Sequence, residues 1–297
     1  RWGKGLNAAV EGLSARYRPS VVIATGHPFQ VIRHVATFKR RHPDIAFIAD
    51  LRDPWFQHRE NTMGNRRAAR VRQWATESLD AADAVVCVTD GLASEFRKHV
   101  NHTSVVVIPN GVDLEDVPPY DDECRWDLVH AGNVTNHRIL PAQQLLEALV
   151  RVAPNSRVLF VGSGFGRLER FKAALPNLQF RPVVPRREAL AEVAAARFGL
   201  HLNAPHVPYL VSTKIYEYPA IGIPVLSVNY GGDSEDLVNR DGLGISINLD
   251  RDQVDSMLRD ALRQDRRRLS PRDDSTHQVR AVAYSSLIGA ITNGAGE

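Results

Sequence analysis

Only two cysteines, Cys87 and Cys124, occur in 297 residues. That excludes a disulfide framework, and with no zinc-ligand spacing both read as free thiols of a reducing, cytoplasmic compartment. No run of about 18 apolar residues is present, which excludes a helical membrane span. The G-x-S-x-G frame of a nucleophile elbow is missing, because Gly162-Ser163-Gly164 lacks its flanks. The sole strand-end D-x-D, Asp250 and Asp252, precedes a helical pattern and reads as a helix cap, so no metal is expected. Aromatics are sparse, at 7%, and are not interleaved with the basic residues, which argues against nucleic acid as a partner. There is no internal repeat and no low-complexity tract. The pattern opens in mid-helix at Arg1, without Met or signal peptide, and further residues are expected upstream.

The remaining composition is that of a globular protein, with 43% apolar and 24% charged residues, and the length leaves room for two domains. The net charge of +3 suits an anionic ligand or a membrane surface without selecting either. Short continuous apolar runs read as strands at 20–25, 45–50, 84–89, 104–109, 126–131, 156–162, 178–181, 198–202, 223–228 and 244–248. Runs without polar alternation are covered on both faces, as in parallel sheets. Helical patterns fall between them at 30–41, 66–81, 91–99, 141–153, 165–174, 187–196 and 252–264, with a final one at 277–291. This alternation predicts α/β, doubly wound. The acidic, proline-containing stretch LEDVPPYDDE (114–123) reads as the linker, giving domains of residues 1–118 and 119–297. Four strands against six makes the first domain look incomplete.

The segment 211–228, VSTKIYEYPAIGIPVLSV, carries the sharpest signal. Ser212 and Thr213 are helix-start residues, Lys214 adds a cation, and Gly222 with Pro224 stops the helix. A helix start with two hydroxyls and a lysine is an anion site in form. Glu217, three residues on, shares a face with Lys214 and could take sugar or ribose hydroxyls. The same residues would serve an ordinary capped helix with an exposed ion pair. Gly132, ending the strand WDLVHA, lets a ligand approach the backbone. VGSGFG (161–166) reads G-x-G-x-G and lacks the acid that a dinucleotide fingerprint needs, so a tight strand-to-helix turn is the alternative there.

Five motifs in order carry a resemblance: ADLRDPW (49–55), VIPNGVD (107–113), HAGNVT (130–135), VGSGFG, and E-x4-G-x-P at Glu217, Gly222 and Pro224. Together they resemble the retaining glycosyltransferases of family 4. The resemblance implies the GT-B architecture, two Rossmann-like domains facing a cleft. The acceptor-side domain would lack its first strand and Gly-rich loop, and the last helix would cross back to it. It implies a nucleotide-diphosphate sugar as co-substrate, with no further cofactor, and a sugar, lipid-linked or small-molecule acceptor. Arg138, Lys214 and the helix start at Ser212 and Thr213 would neutralise the diphosphate, and Glu217 would bind ribose or orient the donor. Gly132, Asn133, Gly162 and Gly164 would line the donor, and Val184, between Pro182 and Pro185, would offer backbone to the base. His27 would orient sugar or acceptor, though it also fits a turn before Pro28. Asp50, Asp53 and Trp55 would face the acceptor; Asp53-Pro54 also fits a helix start, and Trp55 a core position. Arg59, Arg66, Arg67, Arg70 and Arg72 near Trp74 would give peripheral contact with an anionic inner membrane face, or simply a solvated helix face.

Two features depart from the family pattern. Tyr209 stands eight positions before Glu217, where a glutamate is usual, and Pro219 lies inside the expected helix, predicting a kink or early end. The expected function is transfer of a sugar with retained anomeric configuration in glycolipid, polysaccharide or glycoconjugate synthesis. A GT-B sugar-nucleotide epimerase and a catalytically silent sugar-nucleotide-binding subunit are the alternatives.

Overall fold

The computed structural model describes residues 2–55, 64–101, 104–134, 136–270 and 274–293. Arg59 and Thr135 lie outside the described residues. The chain forms two compact units, residues 1–109 with 278–297, and residues 110–277.

The first unit is a four-stranded parallel sheet of β1 (Val21–Thr25), β2 (Ala46–Leu51), β3 (Ala84–Cys87) and β4 (Val105–Val107), paired in that order. Its helices are α1 (Trp2–Tyr17), α2 (Gln30–Lys39), α3 (Asn65–Leu79), α4 (Asp90–Arg97) and the last helix, α10 (His277–Asn293). Every residue of β2 and β3 is buried, as their uninterrupted apolar runs require. Tyr284, Leu287, Ile288 and Ile291 of α10 pack against Ile48, Ala84, Val86 and Ile108.

One polar contact fixes that helix. Arg280 lies 3.4 Å from the buried Asp50 at the end of β2 and donates to the Pro109 carbonyl at 3.0 Å. Tyr284 joins them, its hydroxyl 3.3 Å from Arg280. Burial and the Asp50 charge both push the Tyr284 phenol upward, so it stays protonated. Arg280→Ala should leave a buried carboxylate uncompensated and lower stability by about 3 kcal/mol in urea unfolding. Arg280→Lys should recover part of it.

The second unit holds β5 (Trp126–Ala131), β6 (Val158–Val161), β7 (Leu178–Arg181), β8 (Ala196–Leu202), β9 (Val225–Asn229) and β10 (Gly244–Asn248), all parallel, in the order β10-β9-β8-β5-β6-β7. Among the described residues its helices are α5 (Asn136–Val152), α6 (Arg186–Ala194), α7 (Lys214–Ile221), α8 (Asp233–Arg240) and α9 (Val254–Arg263). One core, built on Leu145, Leu149, Phe160 and Phe198, fills one face of the sheet. The other, built on Val129, Leu190, Ile215 and Tyr218, fills the opposite face. Residues 114–123 belong to this unit. Val117 and Tyr120 pack on its core, and Arg266 stacks on the Tyr120 ring at 4.3 Å.

All ten expected strands are present. The helices differ at several points. The pattern at 165–174 gives only a short 3-10 turn, Glu169–Ala173, between two tight loops. The helix expected from Pro141 starts five residues earlier, at Asn136, with Pro141 in its interior. Helix α8 falls where the sequence shows no helical pattern. Neither Asp53-Pro54 nor Asp250 and Asp252 caps a helix: residues 53–55 are irregular, and α9 starts after Gln253 without a side-chain cap. Helix α7 also runs past Pro219. It closes at Gly222, whose φ of 93° only glycine adopts freely, with the Ile223 amide donating back to Tyr218 O at 2.9 Å. No helix among the described residues is long and apolar enough to cross a membrane.

Candidate functional site

In the second sheet the winding direction reverses between β8 and β5. At such a switch point the crossovers leave to opposite sides and open a crevice at the carboxyl ends of the strands. Three loops converge there, following β5, β6 and β8.

The β8 loop leads into α7, and the inner face of α7 places the lysine. Lys214 and Tyr218 are four residues apart and so lie on one face. Tyr218 is fully buried, and its ring lies where Gly199 of β8 has no side chain; a Cβ there would sit 2.2 Å from the ring. The Ala131 amide at the end of β5 donates to the Tyr218 hydroxyl at 3.2 Å. The helix is thereby braced on both strands, and Lys214 reaches the first residue beyond β5. Its Nζ lies 2.9 Å from the position a Cβ on Gly132 would occupy. Burial, reinforced by Arg138, lowers the lysine to about 8, with Glu217 opposing. Among the described residues its ammonium makes no hydrogen bond or ion pair.

The loops after β5 and β6 are zipped together by glycine. Gly162 and Gly164 have φ of 142° and 87°, and a Cβ on either would lie 2.4 Å from Gly132 O or 2.3 Å from Val134 O. The Val134 amide donates to Ser163 O at 2.9 Å, and Ser163 Oγ donates to Asn133 Oδ1 at 2.8 Å. The G-x-G spacing therefore serves loop-to-loop contact. Helix α5 starts directly after this loop, with His137 and Arg138 in its first turn. Arg138 acts electrostatically on Lys214, on His130 and on His201, so a second cation joins the first. His137 Nδ1 meets His206 Nε2 of the β8 loop at 3.0 Å.

Two buried histidines line the strand ends. Burial, then Lys214 and Arg138, lower His201 to about 3, and its Nδ1 is 3.1 Å from Ser227 Oγ. His130 is likewise held well below the ordinary histidine range and stays neutral. The site is thus two cations with neutral imidazoles behind them, a setting for a polyanion. No group of three or more metal-ligating side chains occurs among the described residues.

The structure brings Gly132, Arg138 and Lys214 together, with Asn133, Gly162 and Gly164 in the adjoining loops. Ser212 Oγ accepts from the Lys214 amide at 3.3 Å, and Thr213 is the residue before the helix, with no side-chain cap. Glu217 turns to Arg186 at the start of α6, accepting from two guanidinium nitrogens at 3.2 and 3.0 Å. Val184 is half-buried in the loop before α6. In the first unit, His27 is exposed and its ring meets Phe29 edge-on at 5.3 Å. Trp55 is buried and stacked on Phe29 at 5.2 Å, Asp50 is committed to Arg280, and Asp53 is exposed. His130, Arg186 and Tyr218 do not stand out in the sequence as site residues. The one available signal is a histidine among the apolar residues that close β5.

Residues 4–116 match the family described as Glycosyltransferase Family 4, and residues 137–282 match the one described as Glycosyl transferase-like. No curated protein sequence matches. Among solved structures, sucrose-phosphate synthase from Thermosynechococcus elongatus superposes with a TM-score of 0.66 at 15% identity, over 86% of this chain and 66% of that one. The lipopolysaccharide outer core galactosyltransferase WaaB gives 0.68 at 9% identity, over 97% and 80%. Anabaena Alr3699/HepE, solved in complex with UDP and glucose, gives 0.65 at 14%, over 97% and 79%. The chain thus spans just under two thirds of the first of these and about four fifths of the other two. Two parallel-sheet α/β units with these neighbours define the GT-B fold. With both family matches, the chain belongs to the GT4-like glycosyltransferases.

Proposed function

We propose that the chain transfers a sugar, with retained anomeric configuration, from a nucleotide-diphosphate sugar to an acceptor hydroxyl. The observation that carries this is Lys214, buried against the backbone of Gly132 and within electrostatic reach of Arg138, at the switch point of a doubly wound sheet. Such a pair neutralises a departing diphosphate, and where no metal takes part this electrostatic stabilisation lowers the barrier more than any other single effect. In the reaction the bond from the anomeric carbon to the diphosphate oxygen breaks and one to the acceptor oxygen forms. The acceptor's proton passes to the leaving phosphate. The complex of HepE with UDP and glucose supports a nucleotide sugar as donor. Arg66, Arg67, Arg70 and Arg72 make an exposed basic face on α3, which supports a lipid-linked acceptor at an anionic, cytoplasmic membrane face.

A silent sugar-nucleotide-binding subunit is favoured by one feature: Glu217 is already occupied by Arg186. Melting the protein with UDP, GDP, ADP and TDP derivatives should give a rise with one base series, since a ligand held only by the native state raises the melting temperature. Transfer to an added acceptor then separates the readings. Binding with neither transfer nor donor hydrolysis would leave the silent subunit standing.

A further inference from the structure

His130 sits at the last turn of the pleat before the crevice opens. The pairing of β5 with β8 ends at Val129 opposite Gly199, where the two strands begin to part. His130 follows directly, and its Nδ1 lies 3.0 Å from Leu200 O of β8. A carbonyl can only accept, so Nδ1 carries the proton and Nε2 of the neutral ring presents a lone pair. That Nε2 is buried and has no hydrogen-bond partner among the described residues. A buried acceptor without a donor is costly, roughly 1–3 kcal/mol, and calls for an explanation. It lies 3.9 Å from the point where Gly132 lacks a Cβ, the same point that the Lys214 ammonium approaches to 2.9 Å.

We propose that His130 is a positioning residue for Lys214: its Nε2 accepts a hydrogen bond from the ammonium through one water and holds the cation facing Gly132. The inference rests on the diphosphate site proposed above and assigns a task to a residue outside its cation pair. The other charged or titratable groups bearing on Lys214 are Arg138 from α5, Glu217 from its own helix and His201 from β8. Of these, Arg138 repels the ammonium, His201 spends its Nδ1 on Ser227, and Glu217 is paired with Arg186.

Two variants test this. His130→Asn keeps a donor for Leu200 O and has no acceptor at the Nε2 position; His130→Gln places an amide oxygen there. With inorganic pyrophosphate as the probe, the Asn variant should bind about tenfold more weakly near pH 8, the loss of one hydrogen bond to a charged group, and the Gln variant should bind like the wild type. In ligand-free protein, the NMR titration of the Lys214 ammonium should move to lower pH in the Asn variant and stay in place in the Gln variant. The wild type alone gives a third reading, since the 15N resonance of Nε2 should show the upfield displacement of an unprotonated nitrogen that accepts a hydrogen bond. An Asn variant that binds and titrates like the wild type, a Gln variant as impaired as Asn, or a free-lone-pair resonance would each overturn the proposal. If wild-type protein fails to bind pyrophosphate, the diphosphate site falls, and the ligand-free titration and resonance still decide the role of His130.

Discussion

Replacing Lys214 by methionine should raise the thermal stability of the protein at pH 7 while removing diphosphate binding. The lysine titrates near 10.5 in an unfolded chain and at about 8 in the folded one. Between those values the unfolded chain binds more protons, so stability climbs with pH there. Below pH 8 the full cost of holding the buried ammonium applies, on the order of 3 kcal/mol. Methionine keeps the apolar stem and deletes the charge. The variant should therefore melt several degrees higher at pH 7, and the gain should shrink as the pH is raised from 8 toward 10.5. Affinity for pyrophosphate should fall at least ~100-fold, because charge-assisted hydrogen bonds and a buried cation are lost together. A surface lysine would give neither change.

The second prediction is that Gly132→Ala behaves as a binding variant and Gly164→Ala as a stability variant. At Gly132 the new methyl would lie 2.9 Å from Lys214 Nζ and 3.1 Å from its Cε, the movable end of a long side chain. The lysine must swing away, so pyrophosphate affinity should drop nearly as far as in Lys214→Met, while stability falls only by the strain at a φ of 138°, ~1–2 kcal/mol. At Gly164 the methyl would meet Val134 O at 2.3 Å, a backbone atom that cannot step aside. The loops after β5 and β6 would have to separate, at a cost above ~2 kcal/mol in unfolding, with the lysine left in place. Calorimetric affinity and urea midpoints, measured on both variants, separate the two effects.

The strands were legible because residues such as 84–87 and 158–161 are buried on every side and read as unbroken apolar runs. Helix α8 escaped because GGDSEDLVNR carries three acids in its first turn and only Leu237 and Val238 as apolar residues. It is required by topology, since β9 and β10 are parallel and need a crossover. Lys214, Gly132 and the glycines at 162 and 164 could be found from local spacing. The partnership of Glu217 with Arg186 could not, because the two meet only when α6 and α7 pack side by side. His130 was hidden for a similar reason: its tautomer and its open nitrogen depend on where β5 and β8 part. Trp55, whose sequence setting fits a sugar platform or a core position, takes the second, with its ring stacked on Phe29 inside the first unit.

The measurement that bears most directly on the diphosphate site is calorimetric titration of the wild-type protein with pyrophosphate and nucleoside diphosphates across pH 7 to 9.5, in buffers of different ionisation enthalpy. An anion beside Lys214 favours its charged form, so binding near pH 8.5 should take up a proton, and affinity should decline as the pH rises past 8. Binding without proton uptake, or no binding at any pH in that range, would contradict the assignment of this lysine and the loop of Gly132 as the seat of the diphosphate.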